Sequence, residues 1–384
     1  MPFVTSSKLF EPIKIGHMEL KHHIVLAPLT RLRNDNNFVP LDVACDHYAQ
    51  RASVPGTLLI TEAMGVFPKG GAYFNIPGVW KEEQIVKWKK VTDCVHLRDG
   101  FIFAQIWSGG RIAIPDVLKS QDPSYIVVGP SDIPCNGHDW PVHPLTAEEI
   151  KEYVEAWSKG AANAVHKAGF DGVELHFANG YLPDQFLQDV SNKRTDEYGG
   201  SIENRARFPL EIVEGVVKEV GQERVGVRLS PWSTFQGMNK TGMRMKDPKP
   251  TFTYVVEKLK ELYPNLGYLS VIEPRIAGDS TVDLDASGES NDFLREIWAP
   301  KPLISAGGYA RESAMKTADE KGDVIAFGRM FISNPDLPFR LLHDIPLTKY
   351  DRSLFYCPGD NSGKGYTDYP FSEEFSKTQY NVPA

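Results

Sequence analysis

The sequence of 384 residues lacks several patterns that mark specialised classes of protein. Its four cysteines, at positions 45, 94, 135 and 357, form no Cys-x-x-Cys pair, which argues against a zinc knuckle or an iron–sulfur cluster, so we expect free buried thiols. No apolar run is long enough to span a bilayer. The amino-terminal segment lacks the basic start and apolar core of a secretory signal, and we therefore expect a cytoplasmic protein.

Charge and glycine spacing disfavour two further classes. The formal net charge of −8 at pH 7 argues against a nucleic-acid or anionic-membrane surface, because such partners require a basic face. No Gly-x-Gly-x-x-Gly follows a predicted strand, which removes the main support for a doubly wound dinucleotide-binding sheet. Any phosphate that the protein binds must therefore be held by a local site.

Eight short apolar or β-branched segments alternate with helix-length amphipathic segments. The predicted strands are 24–27, 57–61, 101–106, 172–175, 225–229, 267–272, 302–305 and 323–327. Helical patterns lie between them, for example at 82–97, 147–168, 202–220 and 252–262, and Thr146 to Glu149 has the pattern of a capping box. This alternation predicts an α/β fold, a (β/α)8 TIM barrel, and we see no domain boundary within 1–384.

Three segments do not fit the repeat. Residues 1–23 include alternating pairs around a glycine, which predicts a hairpin that caps the closed end of the barrel. The stretch 111–145 after the third strand is too long for an ordinary connection, and loops of that length are usually excursions over a functional site. The aromatic-rich tail 350–384 is expected to fold back onto the active-site face.

The carboxyl ends of the predicted strands carry most of the candidate site residues. In a barrel these ends converge on one face. The residues there are Thr30, Glu62, Ala63, Gln105, Trp107, His176, Asn179, Tyr181, Arg228, Glu273, Gly307, Gly308, Gly328 and Arg329. This set suits a flat, polar, anionic cofactor better than a metal, because a catalytic zinc needs about three protein ligands and only one histidine stands in position.

The glycine pairs at the last two strand ends predict a phosphate site. Backbone N–H groups at Gly307, Gly308 and Gly328 would hold the phosphate, and Arg329 would add charge. Each pair taken singly is also explained by a tight turn. Their occurrence at adjacent strand ends favours phosphate binding.

The fourth strand end carries His176, Asn179 and Tyr181 within six residues. A core histidine, an Asn-Gly turn and a packing aromatic would explain them one by one. Together, two hydrogen-bond donors could polarise a substrate carbonyl, and the phenol could deliver a proton. Arg228 could serve as an ion-pair partner or stabilise negative charge on a reduced cofactor ring.

Two carboxylates are compatible with a different class of barrel enzyme. Glu62 and Glu273 could form the acid pair of a barrel glycoside hydrolase. A non-catalytic binding barrel is a third possibility, although it has no need of a proton donor.

Longer motifs resemble the Old Yellow Enzyme family of flavin-dependent ene-reductases. From His176 the chain reads HFANGYLPDQFL, followed by NKRTDEYGGSIENRARF. Other matching segments extend over nearly the whole chain and include LFEPIKIG, IVLAPLTRLR, LITEA, FAQIW, VGVRLSP, ISAGGY and AFGRMFISNPDLPFRL. The resemblance implies an FMN-binding TIM barrel, in agreement with the independent strand count.

Residue roles follow from the resemblance by position. It implies that Pro28, Thr30 and Ala63 contact the flavin ring, Gln105 and Arg228 bind its pyrimidine edge, and Gly307, Gly308, Gly328 and Arg329 bind the phosphate. It further implies that His176 and Asn179 bind the substrate carbonyl, that His176 also contacts the cofactor, and that Tyr181 is the proton donor. Tyr73, Trp107 and Tyr356 would lie near the substrate.

The implied reaction is a ping-pong reduction of an enone or enal. NADPH reduces FMN, hydride passes to the β-carbon of the substrate, and Tyr181 protonates the α-carbon. The protein would act on a small molecule as a monomer or homodimer.

Three departures from the family pattern, at Phe177, at Pro183 and over 357–364, predict a reshaped pocket. The sequence looks fungal, and the fungal branch of the family includes enzymes of secondary metabolism that isomerise or oxidise their substrates. Isomerisation or oxidation on the same scaffold is therefore the alternative to reduction.

Overall fold

The computed structural model of the protein describes residues 6–135, 137–236, 244–278, 280–281 and 288–378. The expected amino-terminal cap and carboxyl-terminal tail therefore include residues 1–5 and 379–384, which lie outside the described ranges.

Eight parallel strands form a closed barrel. In chain order they are Ile24–Leu26, Leu58–Ile60, Phe101–Trp107, Gly172–Phe177, Val225–Leu229, Tyr268–Ile272, Leu303–Ala306 and Val324–Phe327. Each pairs with the next, and the eighth pairs with the first through the register Ile325 to Ile24. The predicted barrel and all eight predicted strands are confirmed.

Helices cover the outside of the barrel between the strands. Their bounds are α1 Val43–Arg51, α2 Glu82–His96, α3 Pro115–Gln121, α4 Ala147–Ala162, α5 Leu182–Leu187, α6 Ile202–Val220, α7 Lys249–Leu262, α8 Asp292–Trp298, α9 Arg311–Lys321, α10 Arg329–Ser333, α11 Leu337–His343 and α12 Glu373–Ser376. Within the described ranges, none combines the length and apolar composition that a membrane crossing requires.

The predicted helix starts and ends are close to the observed ones. The capping box at the start of α4 forms, because the Glu149 N–H donates to Thr146 Oγ1 at 3.2 Å and the Thr146 N–H donates to Glu149 Oε2 at 2.8 Å. The segment predicted as one helix over 147–168 changes at Ala162, and a π-helical turn covers Asn163–Lys167.

The amino-terminal end of the barrel is closed by a small antiparallel sheet. Ile13–Ile15 pairs with Met18–Leu20, and the inward side chains of both segments pack beneath the apolar lower layer of the barrel. Gly16 makes the turn with φ +56°, and a Cβ there would lie 2.1 Å from the Glu223 carbonyl oxygen. The hairpin turn therefore requires glycine for both its conformation and its close contact.

The excursion after the third strand has short elements of its own. It contains α3, and the segment Val128–Gly129 pairs in parallel with His143–Pro144. Apolar side chains of this region pack against Trp107 and Tyr181 at the carboxyl ends of the strands. The excursion thus covers one side of the site face.

The tail is held to the same face by two buried arginines of the first strand-to-helix loop. Arg31 donates through Nε to the Phe355 carbonyl at 2.9 Å and through Nη2 to the Gly365 carbonyl at 2.8 Å. Arg33 contacts the Asp360 carboxylate at 2.8 Å. Both guanidinium groups lie over the Tyr366 ring, at 5.0 and 4.8 Å from its centroid.

The expectation of four free thiols is wrong for two of them. Cys45 in α1 and Cys94 in α2 form a disulfide, with a Cα–Cα distance of 6.3 Å. These helices pack side by side, so residues 49 positions apart in sequence become neighbours. Cys135 and Cys357 are not disulfide-bonded.

Replacing Arg33 with Ala is expected to loosen the tail between residues 350 and 366. The change removes charged hydrogen bonds to the Asp360 carboxylate and to the Lys364 carbonyl. Limited digestion with chymotrypsin should cleave this segment about tenfold faster than in the unmodified protein. Lys364→Ala is the matched control, because that side chain is exposed on the same segment. Equal cleavage rates for Arg33→Ala and the unmodified chain would contradict the anchoring role.

Candidate active site

A large cavity opens at the carboxyl ends of the barrel strands in the described part of the chain. With its open mouth it encloses about 1410 Å³. The predicted site residues that line it are Pro28, Thr30, Ala63, Gln105, His176, Asn179, Tyr181, Arg228, Gly307, Gly308, Gly328, Arg329 and Tyr356. The structure therefore brings together residues that are up to 328 positions apart in the sequence.

Strand alternation directs His176 into the barrel. Successive side chains of the fourth strand point to opposite faces, so Glu174 and His176 face inward while Phe177 faces the helices and contacts Trp157, with ring centroids 5.9 Å apart. The strand then ends in a turn in which Asn179 has φ +58° and Gly180 has φ +76°. This turn brings Asn179 back toward His176.

Hydrogen bonds from three directions hold this turn in place. The Asn179 N–H donates to Ser230 Oγ at 2.8 Å, and the Gly180 N–H donates to Asp184 Oδ2 at 2.8 Å. Gln185 Nε2 donates to the Gly180 carbonyl at 2.8 Å. Tyr181 follows as the N-cap of α5, so its position is fixed by both the turn and the helix.

Phe177 and Pro183 do not reshape the cavity as the sequence led us to expect. Phe177 is buried between strand and helix, and Pro183 occupies the first turn of α5, where a missing N–H costs no hydrogen bond. Neither residue lines the cavity. In the tail, by contrast, Tyr356 does reach the cavity wall.

Among the predicted site residues at the cavity, three buried polar atoms have no hydrogen-bond partner in the described part of the chain. They are His176 Nδ1, Asn179 Oδ1 and Arg228 Nε. Buried polar atoms are almost always paired in folded proteins, so an unpaired group of three at one cavity indicates a place for a polar ligand.

Burial sets the protonation of the two titratable groups at this strand end. Burial, together with the nearby Arg228 guanidinium, holds the pKa of His176 well below its ordinary value, so the imidazole is neutral at pH 7. Burial, followed by the neighbouring Tyr73, raises the pKa of Tyr181 well above its ordinary value. Tyr181 therefore keeps its proton at neutral pH.

Tyr73 and Trp107 lie behind Tyr181 and are not part of the cavity wall. The Trp107 and Tyr181 rings meet edge to face at 4.4 Å, and Tyr73 packs on Trp107 at 5.9 Å. Each of the two tyrosines is among the groups that shift the pKa of the other, so their hydroxyls influence each other electrostatically. Gln236 Nε2 donates to the Tyr73 hydroxyl at 3.1 Å, a contact that the sequence did not predict because Gln236 lies in an irregular loop.

At one end of the cavity, backbone without side chains at the glycines lies close to guanidinium groups. Gly308 has φ +65°, and a Cβ there would lie 3.4 Å from Arg329 Nη2. Arg329 donates to Thr281 Oγ1 at 3.0 Å and lies over the Tyr350 ring. Arg275, which the sequence analysis did not single out, donates to the Gly307 carbonyl.

Glu62 and Glu273 do not form a catalytic pair. Glu62 Oε2 accepts the Arg31 N–H at 3.2 Å, and burial raises the pKa of this carboxyl to about 7. Glu273 is paired with Arg295 at 2.5 Å and accepts from Ser305 at 2.9 Å. Neither lines the cavity, and its described wall contains no carboxylate. The glycoside hydrolase alternative therefore has no acid pair in the cavity.

A family profile, related sequences and solved structures all place this chain among flavin-dependent oxidoreductases. A profile of the NADH:flavin oxidoreductase / NADH oxidase family matches residues 8–348. The chanoclavine-I aldehyde reductase fgaOx3 of Penicillium roqueforti is 48% identical, over 97% of this chain and 98% of that protein. A protein of Claviceps fusiformis described as a probable inactive dehydrogenase, easA, is 44% identical over 98% of each chain.

Solved structures share the fold over nearly the whole chain. The Old Yellow Enzyme of a Pichia species has a TM-score of 0.86 and 37% identity, covering 96% of this chain and 95% of its own. Morphinone reductase in complex with tetrahydroNAD has a TM-score of 0.84 and 36% identity, covering 95% and 98%. The chain belongs to the NADH:flavin oxidoreductase / NADH oxidase family and is an NAD(P)H-dependent flavin oxidoreductase of the Old Yellow Enzyme type, with FMN as its cofactor.

Proposed function

We propose that this enzyme uses NADPH to reduce the activated C=C bond of α,β-unsaturated aldehydes or ketones. The observation that carries the proposal is the arrangement of His176, Asn179 and Tyr181 around one cavity, where two side chains can bind a carbonyl oxygen and a protonated phenol stands beside them. The name of the Penicillium relative, an aldehyde reductase, supports a carbonyl-containing substrate.

The described residues fit FMN. The unpaired Arg228 Nε and the Gln105 side chain offer polar contacts for the ring edge, and Thr30 lies on the same wall with Pro28 and Ala63. At the other end, Gly307, Gly308, Gly328 and Arg329 would hold the phosphate, because they line the same end of the cavity and Arg329 adds positive charge. The chemistry that FMN supplies when bound is hydride transfer, from NADPH and then to the substrate.

His176 and Asn179 would bind the substrate carbonyl oxygen. The low pKa of His176 keeps it a neutral donor, and the Asn179 amide offers a second donor from the adjacent turn. Two hydrogen bonds to that oxygen draw electron density from the conjugated C=C bond, so the β-carbon becomes a better hydride acceptor. Because the fold holds both donors in place, they do not have to be reoriented during the reaction.

Tyr181 would deliver the proton to the α-carbon. Its raised pKa keeps the phenol protonated, and Gln236 Nε2 donates at 3.1 Å to the hydroxyl of the neighbouring Tyr73. Net reduction needs such a donor, which is why the intact Tyr181 favours reduction over isomerisation or oxidation on this scaffold.

Replacing Tyr181 with Phe is expected to slow substrate reduction while sparing reduction by NADPH. Loss of a general acid typically costs about 100- to 10,000-fold in rate. Stopped-flow spectroscopy of the flavin would measure both half-reactions, with cyclohexenone as the oxidant. The ring contacts to Trp107 and His176 remain in this variant, so binding changes should be small.

Tyr73→Phe is the control for the proton donor. It removes the hydroxyl that neighbours Tyr181 and keeps the proton donor itself, so we expect a loss of less than about tenfold, the size of one hydrogen-bond effect. An unchanged oxidative half-reaction in Tyr181→Phe, or a larger loss in Tyr73→Phe, would remove the role assigned to Tyr181.

Replacing Gly308 with Ala is expected to weaken FMN binding about tenfold, roughly 1.4 kcal/mol. The added Cβ would lie beside Arg329 Nη2, in the space that we assign to the phosphate. Gly322→Ala is the matched control, since Gly322 also has positive φ, +73°, but nothing lies within 4 Å of its Cβ position. Both variants should lose similar thermal stability, by roughly 1–2 kcal/mol from the backbone conformation. Titration of apoprotein with FMN, followed by flavin fluorescence, separates the two effects. Equal FMN affinity in the two variants would exclude the phosphate role of Gly308.

A further inference from the structure

A buried carboxylate lies under the cavity and takes no part in the mechanism described above. Glu174 has 0% exposure and faces the barrel interior from the fourth strand, two residues before His176. Its Oε1 accepts a hydrogen bond from Gln105 Nε2 at 2.7 Å, and its Oε2 accepts one from the Tyr268 hydroxyl at 3.1 Å. Both oxygens of Glu174 are therefore committed to donors from other strands.

A glycine makes this contact possible. Gln105 and Glu174 are register neighbours on the third and fourth strands, whereas Tyr268 lies on the sixth, beyond the fifth. Gly226 on the fifth strand is the register neighbour of both Glu174 and Tyr268, and a Cβ there would lie 2.3 Å from Tyr268 Cζ. The missing side chain leaves the gap through which the phenol reaches Glu174.

The contact with Glu174 determines which atom Gln105 can offer to a ligand. Glu174 Oε1 accepts its hydrogen bond from Gln105 Nε2, so the Gln105 amide turns its nitrogen toward Glu174. Its Oε1 is then left as an acceptor at the cavity wall. Without the carboxylate, the amide could flip and offer a donor instead.

Glu174 also acts on the charge of the site. Arg228 stands two residues after Gly226, so it faces the same interior, and its guanidinium and the Glu174 carboxylate attract each other electrostatically. Burial raises the pKa of Glu174, while Arg228, Gln105 and Tyr268 act in the opposite direction. A negative charge beside Arg228 offsets part of the positive potential that this arginine gives the cavity.

We propose that Glu174 is a positioning residue for the cofactor: it fixes the amide of Gln105 as an acceptor and offsets the charge of Arg228, so that it lowers the preference of the site for the reduced, more negative cofactor. This inference rests on FMN occupying the cavity as proposed above. Tyr268 and Gly226 belong to the same arrangement, because they hold the carboxylate in place.

The test uses the FMN-loaded full-length protein and the variant Glu174→Gln, which removes the charge but keeps the shape. We expect oxidised FMN to bind about threefold to tenfold more weakly, the effect of one misaligned hydrogen bond. We expect the reduced cofactor to gain about tenfold in affinity relative to the oxidised one, which raises the two-electron midpoint potential by about 30 mV. Fluorescence titration gives the first quantity, and spectroelectrochemistry gives the second.

Asp336→Asn is the matched control for the loss of a buried carboxylate. Asp336 also has 0% exposure and accepts hydrogen bonds from Arg340 and Ser372, but it does not line the cavity. This variant should lose stability and keep both the FMN affinity and the potential. An equal shift of potential in Asp336→Asn would overturn the proposal, because the effect would then not depend on Glu174.

Tyr268→Phe keeps the proposal testable if Glu174→Gln does not fold. It removes one hydrogen bond to the carboxylate without changing charge, and it should weaken FMN binding about twofold to threefold. A folded Glu174→Gln with unchanged affinity and potential, or with a lowered potential, overturns the proposal. If only Tyr268→Phe folds, unchanged affinity overturns it. If the unmodified protein binds no FMN, the proposed function is rejected together with this inference. If it binds FMN normally and the variants change neither the FMN affinity nor the midpoint potential, only the role of Glu174 is rejected.

Discussion

Closure of eight parallel strands is the constraint on which the rest of this structure depends. Because every strand runs in the same direction around the ring, all carboxyl ends reach one rim, and residues from opposite halves of the chain share that rim. The turn after the fourth strand thus faces the glycines after the seventh and eighth strands across one cavity. The amino-terminal hairpin packs against the other end of the barrel.

The barrel interior changes from apolar to polar along its axis. Near the hairpin it is filled by side chains such as Val25, Phe103 and Ile304. The next layer holds Gln105 and Tyr268, which both donate hydrogen bonds to Glu174. The cavity begins above this layer. Burying a polar group costs free energy unless the group is hydrogen-bonded. The polar side chains below the cavity are hydrogen-bonded to one another, whereas unpaired polar atoms lie at the rim, where a ligand can bind them.

The strands and most of the rim could be predicted from sequence, because parallel strands covered on both faces form short apolar runs and their order fixes where the polar ends meet. Glu174 gave no such signal, since one carboxylate between Val173 and Leu175 does not reveal its cross-strand neighbours. Gln236 and Arg275 lie in irregular segments without periodicity. The Cys45–Cys94 disulfide depends on the packing of α1 against α2, and the effect expected of Phe177 was wrong because family position does not indicate which face of a strand a side chain occupies.

The two sides of the cavity are built from different parts of the fold. Gln105, His176 and Arg228 stand on barrel strands, where a shift of backbone would disturb several neighbouring strands. Tyr356 and Phe235, by contrast, lie in the tail and in a loop, and the tail is held by side-chain contacts from Arg31 and Arg33. Changes in these segments can therefore alter one side of the cavity while leaving the strand-borne side intact.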